Sequence, residues 1–342
     1  MIRRSIFAAL SASALATMTQ NPALAAGTLS IATGESTGTY AQFGREIGNT
    51  ASTAEIDLLI EPSAGPVESL MAVRFTPGVQ LGIVQSDALT YLRLLAARGD
   101  IDAAAAEDMM ARVKLVMPLH MEEVHLLARN GIYTIADLTG QRVAIGAPDT
   151  GTAMTAATIL SLAGVAPAAV ETIGGEAALA ALKAGEVDAM FAVEGQPVAL
   201  FEQGVALDDG LGFVQIDDPA VLAGGYQATT VLRSNYPWSA LDTPTVGIRA
   251  ALVSYDYRRE NCALVGALSK QLRADLPSLR DNGHPKWAVV DPDAVLSGWR
   301  DYDCAGERAD AVLPLPEDTT QAVQPATAQE NTGGGFNSLF SD

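Results

Sequence analysis

The sequence predicts an α/β fold made of parallel sheets covered by helices. Short runs that are apolar on both faces alternate with alanine-rich helical runs, the pattern of strands buried between helix layers. Glycine-rich turns follow two of these strands and lead straight into helices, which is how open α/β sheets build ligand sites at the carboxyl ends of strands. The chain has the bulk for it: 342 residues, 49% apolar, 6% aromatic and 18% charged, describe a globular protein whose length suggests two domains.

Taken in order, LSIAT (29–33) reads as the first strand, and GESTGTYAQFG (34–44) turns it into a helix near 40–53. IDLLIEP (56–62) is the second strand and is followed by a helix near 66–74; LGIVQSD (81–87) is the third, with a helix near 86–98. VKLVMPL (113–119) and VHLLAR (124–129) read as two further strands. RVAIGAP (142–148) runs through GAPDTGTAMTAA (146–157) into a helix near 151–163, and a helix near 175–184 precedes the strand VDAMFAVEG (187–195). No fixed-period repeat is evident. Leu315 to Gln329 is rich in Pro, Thr, Gln and Ala and leads to Gly333–Gly335, so 316–342 reads as a disordered tail.

With 40 acidic against 21 basic residues and a formal charge of −19, the chain is unsuited to nucleic acid or to anionic membrane surfaces, which demand clustered Lys and Arg. Arg3 and Arg4 precede an apolar stretch from Ile6 to Ala16, and Ala23-Leu24-Ala25 has the small-x-small form of a cleavage site. Residues 1–25 therefore read as a signal peptide, the mature chain starting at Ala26. Loss of the two arginines leaves 19 basic against 40 acidic residues, a charge of −21. The Arg pair is too short a match to choose an export route. No Cys at the cleavage point argues for a lipid anchor, and no later apolar run reaches the 18 or so residues of a membrane helix. The expected location is the periplasm. Cys262 and Cys304 have one possible pairing, and in an exported protein a disulfide between them is expected.

The two glycine-rich turns carry the candidate chemistry. Each leaves backbone N–H groups and the positive end of a helix dipole at a strand end, which suits an anion. In the second, Asp149, Thr150 and Thr152 flank Gly151. The alternative is that these glycines and threonines only cap helices. Neither turn is a P-loop, because no Lys follows the second glycine. Gly34-Glu35-Ser36-Thr37-Gly38 also fits the G-x-S-x-G nucleophile elbow of a serine hydrolase using Ser36. Against that stand its place on the first strand, the lack of an HGGG-type oxyanion segment, and a histidine order that only His284 could complete. His120, Glu122, Glu123 and His125 match no H-E-x-x-H spacing, and in an extended segment the two histidines point to opposite faces, so no metal is expected. No cofactor and no enzymatic activity are expected either.

SIATGESTGTYAQFG (30–44), EPSAGPVESL (61–70), LGIVQSD (81–87), DLTGQRVAIGAPDTGT (137–152) and ALKAGEVDAMFAVEGQP (181–197) together resemble the TAXI family of TRAP-transporter solute-binding proteins, in the family's order over residues 29 to about 300. The resemblance implies a type II periplasmic-binding-protein fold, two α/β lobes joined by crossing hinge strands, with lobe one at 26–119 plus 235–315 and lobe two at 120–234. It implies a receptor that closes on a small solute and delivers it to the membrane subunits of a cation-coupled TRAP transporter; a monomer is expected, and the donors of the two turns make a small organic anion, an amino acid or dicarboxylate, the expected ligand. The family's glycine-threonine-tyrosine turn falls on Gly38, Thr39 and Tyr40; its QSD strand end on Gln85, Ser86 and Asp87; and its second-lobe turn on Thr150, Gly151 and Thr152. Ser63 and Gly65, and Gly195 and Gln196, complete the implied ligand set. Where the family has glycine-serine followed by Glu-Asn, this chain has Gly65-Pro66 and Glu68-Ser69, so ligand identity does not carry over from relatives. No arginine stands out as a carboxylate anchor, which leaves helix ends and neutral donors to carry recognition. A sensor or scaffold protein using the same cleft without transport is the second functional class.

Overall fold

In the computed structural model, residues 27–304 are described. The expected signal segment 1–25 and tail 316–342 lie outside the described residues. The first half runs β1 (Gly27–Ala32), α1 (Thr39–Ser52), β2 (Ile56–Glu61), α2 (Pro66–Phe75), β3 (Leu81–Gln85), α3 (Ala88–Arg98), α4 (Ala103–Arg112) and β4 (Val113–Arg129). The second runs β5 (Arg142–Ala144), α5 (Gly151–Leu162), β6 (Ala169–Glu171), α6 (Gly175–Ala184), β7 (Ala189–Glu194), α7 (Ala199–Gly204), β8 (Leu211–Phe213), α8 (Pro219–Ala223) and β9 (Gln227–Val231). β10 (Thr243–Tyr255), α9 (Glu260–Asn282) and a 3-10 turn at Pro285–Val289 close the described chain.

The strands join in the order β2-β1-β3-β10-β4-β7-β5-β6, with β8 against β4 and β9 against β10. β1 lies parallel to β2 and β3, and β5 parallel to β6 and β7, so each half repeats one arrangement about a long antiparallel strand. The sheet thus carries two α/β halves, the two-lobed arrangement expected from the sequence. The sheet is mixed rather than purely parallel, because β10 runs antiparallel to β3 and β4, and β4 antiparallel to β7.

Each lobe buries its part of the sheet on both faces. In lobe one, Leu29, Ile31, Phe43, Ile47, Leu268 and Trp287 pack on one face, and Leu70, Val84, Leu89, Met109 and Trp299 on the other. In lobe two the corresponding layers hold Val143, Ile159 and Phe191, and Leu179, Phe201 and Trp238. Tyr236, Trp238, Val246 and Ile248 belong to these second-lobe cores, whereas Ala250 and Leu252 belong to the first. The chain thus returns to lobe one near Ala250, later than the expected residue 235, because β9 and the first part of β10 pair with each other inside lobe two.

The two strands expected at 113–119 and 124–129 are one 17-residue strand, β4. Its interruption in the sequence is chemical: Pro118 is accommodated beside an irregular register between Arg249 and Ala251, and the polar run His120–Glu123 crosses the junction between lobes. Helix boundaries follow local chemistry. Pro66 occupies the first position of α2, where its missing N–H costs nothing, and Gly99 and Gly185 take left-handed conformations at the ends of α3 and α6.

Cys262 in the first turn of α9 is bonded to Cys304, with the Cα atoms 5.3 Å apart. The bond closes a sequence separation of 42 residues and by the loop-entropy relation stabilises the fold by roughly 3 to 4 kcal/mol. Alkylating the denatured, unreduced protein is expected to label neither thiol, and Cys262→Ser to lower the urea midpoint; labelling of both thiols would contradict the bond.

Candidate functional site

Between the lobes lies a cavity of about 440 Å³ whose walls come from both halves of the chain. The first wall is the turn from β1 to α1. Gly34 sits at φ +76°, which only glycine adopts freely, and the cap residue Gly38 offers no side-chain acceptor to the first turn of α1. Thr39 and Tyr40 therefore meet the cavity at a helix end whose N–H groups have no side-chain cap. The second wall is the turn into α5. Thr150 caps that helix by accepting from Ala153 N–H at 3.3 Å, and Gly151 and Thr152 follow it to the cavity. Gly146 sits at φ +111°, and a Cβ there would stand 2.9 Å from Ala153 N.

The two walls touch. A Cβ added to Gly65, ahead of α2, would lie 2.0 Å from the carbonyl oxygen of Asp149, so this approach of lobe one to lobe two exists only with glycine. Gln85 covers Gly151 in the same way, its Oε1 lying 2.3 Å from where a Cβ would stand.

The floor is a carboxylate centre. Glu122, 6% exposed, accepts from Gln85 Nε2 at 2.8 Å and from the Tyr40 hydroxyl at 3.2 Å, and its Oε1 lies 3.3 Å from His120 Nε2. Burial works to raise its carboxyl; the His120 ring, the Lys286 charge and the Gln85 amide outweigh burial and hold it below the ordinary glutamate range. Burial and the Glu122 charge raise the neighbouring Glu194, with Lys286 opposing them. Burial and the same Glu122 carboxylate push the Tyr40 phenol well up, so it stays protonated as a donor.

Of the residues singled out in the sequence, Gly38, Thr39, Tyr40, Gly65, Gln85, Thr150, Gly151 and Thr152 line this cavity. Five others stand elsewhere. Ser63 sits behind the wall, accepting from Gly34 N–H at 2.8 Å and pairing with Ser69 at 2.7 Å, which ties two loops together. Ser86 offers its carbonyl to the Trp299 indole. Gly195 lies under the Lys286 side chain. Gln196 braces lobe two, bonding Thr230 O, Leu232 N–H and Asn235. Asp87, 2% exposed, accepts on Oδ2 from Thr155 Oγ1 at 2.7 Å and from Tyr226 OH at 2.6 Å, both in lobe two. Its Oδ1 has no partner among the described residues.

The sequence reading missed Glu122, Glu194 and Lys286 as parts of one cavity. Glu122 could have been suspected from a polar run inside a strand pattern. Lys286 carries no local signal, since it arrives from the turn after α9.

Ser36 is exposed, and no histidine hydrogen-bonds to it among the described residues. His120 packs on Tyr40 and Phe43 in lobe one, while His125 packs among Phe201, Phe213 and Tyr236 in lobe two, where burial depresses it to about 4. The two rings thus belong to different cores.

The fold and site define a two-lobed α/β protein with a polar cleft at helix ends from both lobes. Residues 31–270 match the model of the NMT1-like family, and the chain belongs to that family. It is also similar to solved structures at low identity. A TctC solute binding protein from Polaromonas shares 14% identity at a TM-score of 0.47, over 75% of this chain and 86% of that one. XAC2383 from Xanthomonas citri bound to ATP shares 11% at 0.47, over 74% and 87%. The L-cystine solute receptor of Neisseria gonorrhoeae in its unliganded open conformation shares 16% at 0.36, over 78% and 97%.

Asp87 sets a pH dependence. Burial is the main cause that raises its carboxyl from the ordinary 3.8 to about 6, partly offset by the Tyr226 and Thr155 hydroxyls. The folded state therefore holds this proton more tightly than the unfolded chain, so the group's contribution is greatest below pH 4 and is lost as pH rises through about 6. Asp87→Asn keeps an acceptor without the charge. Urea unfolding of wild type and variant between pH 4 and 7 is expected to show the variant gaining about 2 kcal/mol relative to wild type across that window. A constant offset would contradict this.

Proposed function

We propose that this chain is a periplasmic solute-binding receptor of a TAXI-type TRAP uptake system, taking a small carboxylate between its lobes and delivering it to the membrane subunits. One observation carries the reading: two helix N-terminal turns, at Thr39 and at Thr150–Thr152, come from different lobes and meet at one cavity of about 440 Å³, within the range of small-molecule sites. Such turns offer fixed N–H donors and a favourable dipole without the rearrangement that a solvated group requires. Glu122 and Glu194 stand in the same walls, so a second carboxylate on the ligand meets repulsion there whereas an ammonium meets attraction. This favours an amino acid over a dicarboxylate. The export signal read at residues 1–25 and the Cys262–Cys304 bond support an oxidising compartment outside the cytoplasm. No helix among the described residues is long and apolar enough to cross a membrane, so transport in this reading needs a separate membrane component.

A thermal-shift screen of carboxylates, sugars and amines, followed by calorimetry, tests the reading. Carboxylate binding is expected, weakened by Thr39→Ala or Thr152→Ala between a few-fold and about a hundredfold, the cost of one lost hydrogen bond to a neutral or charged partner. Thr152 Oγ1 also accepts from Val193 N–H at 3.2 Å, so the Thr39 variant is the cleaner probe. Binding of sugars or amines only, or unchanged affinity in both variants, would contradict it.

A further inference from the structure

Lys286 belongs to lobe one by packing and reaches lobe two by its side chain. The turn that carries it is clamped to α1: Glu46 accepts from His284 N–H at 3.0 Å and from the Trp287 indole, and Phe43 stacks on Trp287 with ring centroids 4.3 Å apart. Trp287 is fully buried, so the base of Lys286 is held firmly. From there the lysine crosses to Gly195, just beyond β7. A Cβ added to Gly195 would stand 2.2 Å from Nζ and 2.5 Å from Cε, so a side chain there would displace the end of the lysine.

The ammonium lies in the cavity wall with Glu122 and Glu194, yet it forms no hydrogen bond and no ion pair within 4.0 Å among the described residues. Other cations of the fold are committed: Arg142 is paired with Asp188, Lys183 with Asp209 and Arg273 with Asp293. Half-buried and facing two carboxylates without contacting either, Lys286 keeps its donors for something else.

We infer that Lys286 is the cationic anchor for the ligand's carboxylate and that Gly195 is left bare so that the lysine can bridge from one lobe to the other. The inference rests on the carboxylate-receptor reading above and supplies the charged partner that the sequence alone did not reveal. A lysine holds a carboxylate as a point charge with rotatable donors, and it complements the fixed N–H groups of the α1 and α5 turns. Because it comes from lobe one and lies against lobe two, a ligand bound to it touches both.

The test uses the full mature protein and a panel of proteinogenic L-amino acids with succinate and malate, taking the best binder and its corresponding carboxamide as probes. Wild type is expected to prefer the carboxylate, and Lys286→Met to lose about 10- to 100-fold in carboxylate affinity while its carboxamide affinity changes by less than about threefold. Lys286→Arg is expected to retain part of the preference. Gly195→Ala displaces the lysine and is expected to reproduce the Lys286→Met effect, the double variant being no worse than either single one. The salt dependence of carboxylate binding is expected to flatten in Lys286→Met. Equal losses for carboxylate and carboxamide in Lys286→Met would mean that the lysine only supports the cleft, and would overturn the assignment while leaving the receptor reading intact. Failure of wild type to bind any carboxylate in the panel would overturn both.

Discussion

The antiparallel pairing of β4 with β10 is the constraint on which the rest of this structure depends. β4 pairs with β10 from Val113 to Glu123 and with β7 from Glu123 to Ala128, so one strand passes through both lobes without a break. The pairing sets Ile248 opposite Glu122 and Gly247 opposite Glu123, which places the polar middle of β4 at the junction. Gly247 is part of that geometry, since a Cβ there would stand 2.7 Å from Met121 Sδ. A residue that would be an error in an ordinary strand interior, the buried Glu122, becomes the floor of a cleft because the strand leaves one core there and enters the next.

The electrostatics follow from the same placement. A chain of charge −19 repels anions at long range, but at physiological salt that field fades over a Debye length of about 8 Å. Inside the cleft, local groups decide. Two helix ends and Lys286 favour a carboxylate, while Glu122 and Glu194 restrict where negative charge can sit. Glu122 stays ionised because His120, Lys286 and Gln85 surround it, and Tyr40 stays protonated because burial and the Glu122 charge both oppose its ionisation. The interior is therefore polar, paired and preorganised around an ammonium that has no protein partner among the described residues.

Much of this was legible in the sequence, and what was not has physical causes. β1, β2, β3, α1, α2, α5 and α6 follow from apolar runs and glycine or proline punctuation, signals confined to a few neighbouring residues. The alternation of side chains along an extended end was harder to use. Gln85 and Asp87 stand two apart in one motif, yet Gln85 reaches Glu122 at the cavity while Asp87, already turning into α3, bonds the lobe-two hydroxyls of Thr155 and Tyr226. The continuity of β4 was hidden by Pro118 and the polar run after it, and nothing local announced the register of β10. Lys286 was invisible for the most general reason: its neighbours in the site, Glu122 and Gly195, are far away in sequence, and only packing through Trp287 and Glu46 brings it there.

Contacts between Gly65 and Asp149, between Asp87 and Tyr226, and between Arg98 and Ser161 at 2.9 Å hold the lobes together on one side of the cleft. In the proposed receptor these contacts tune an equilibrium that a ligand touching both lobes shifts. Small-angle X-ray scattering of the mature protein, with and without a carboxylate shown by calorimetry to bind, measures this directly. The account predicts a smaller radius of gyration and maximum dimension at saturation; superimposable profiles of free and saturated protein would contradict it.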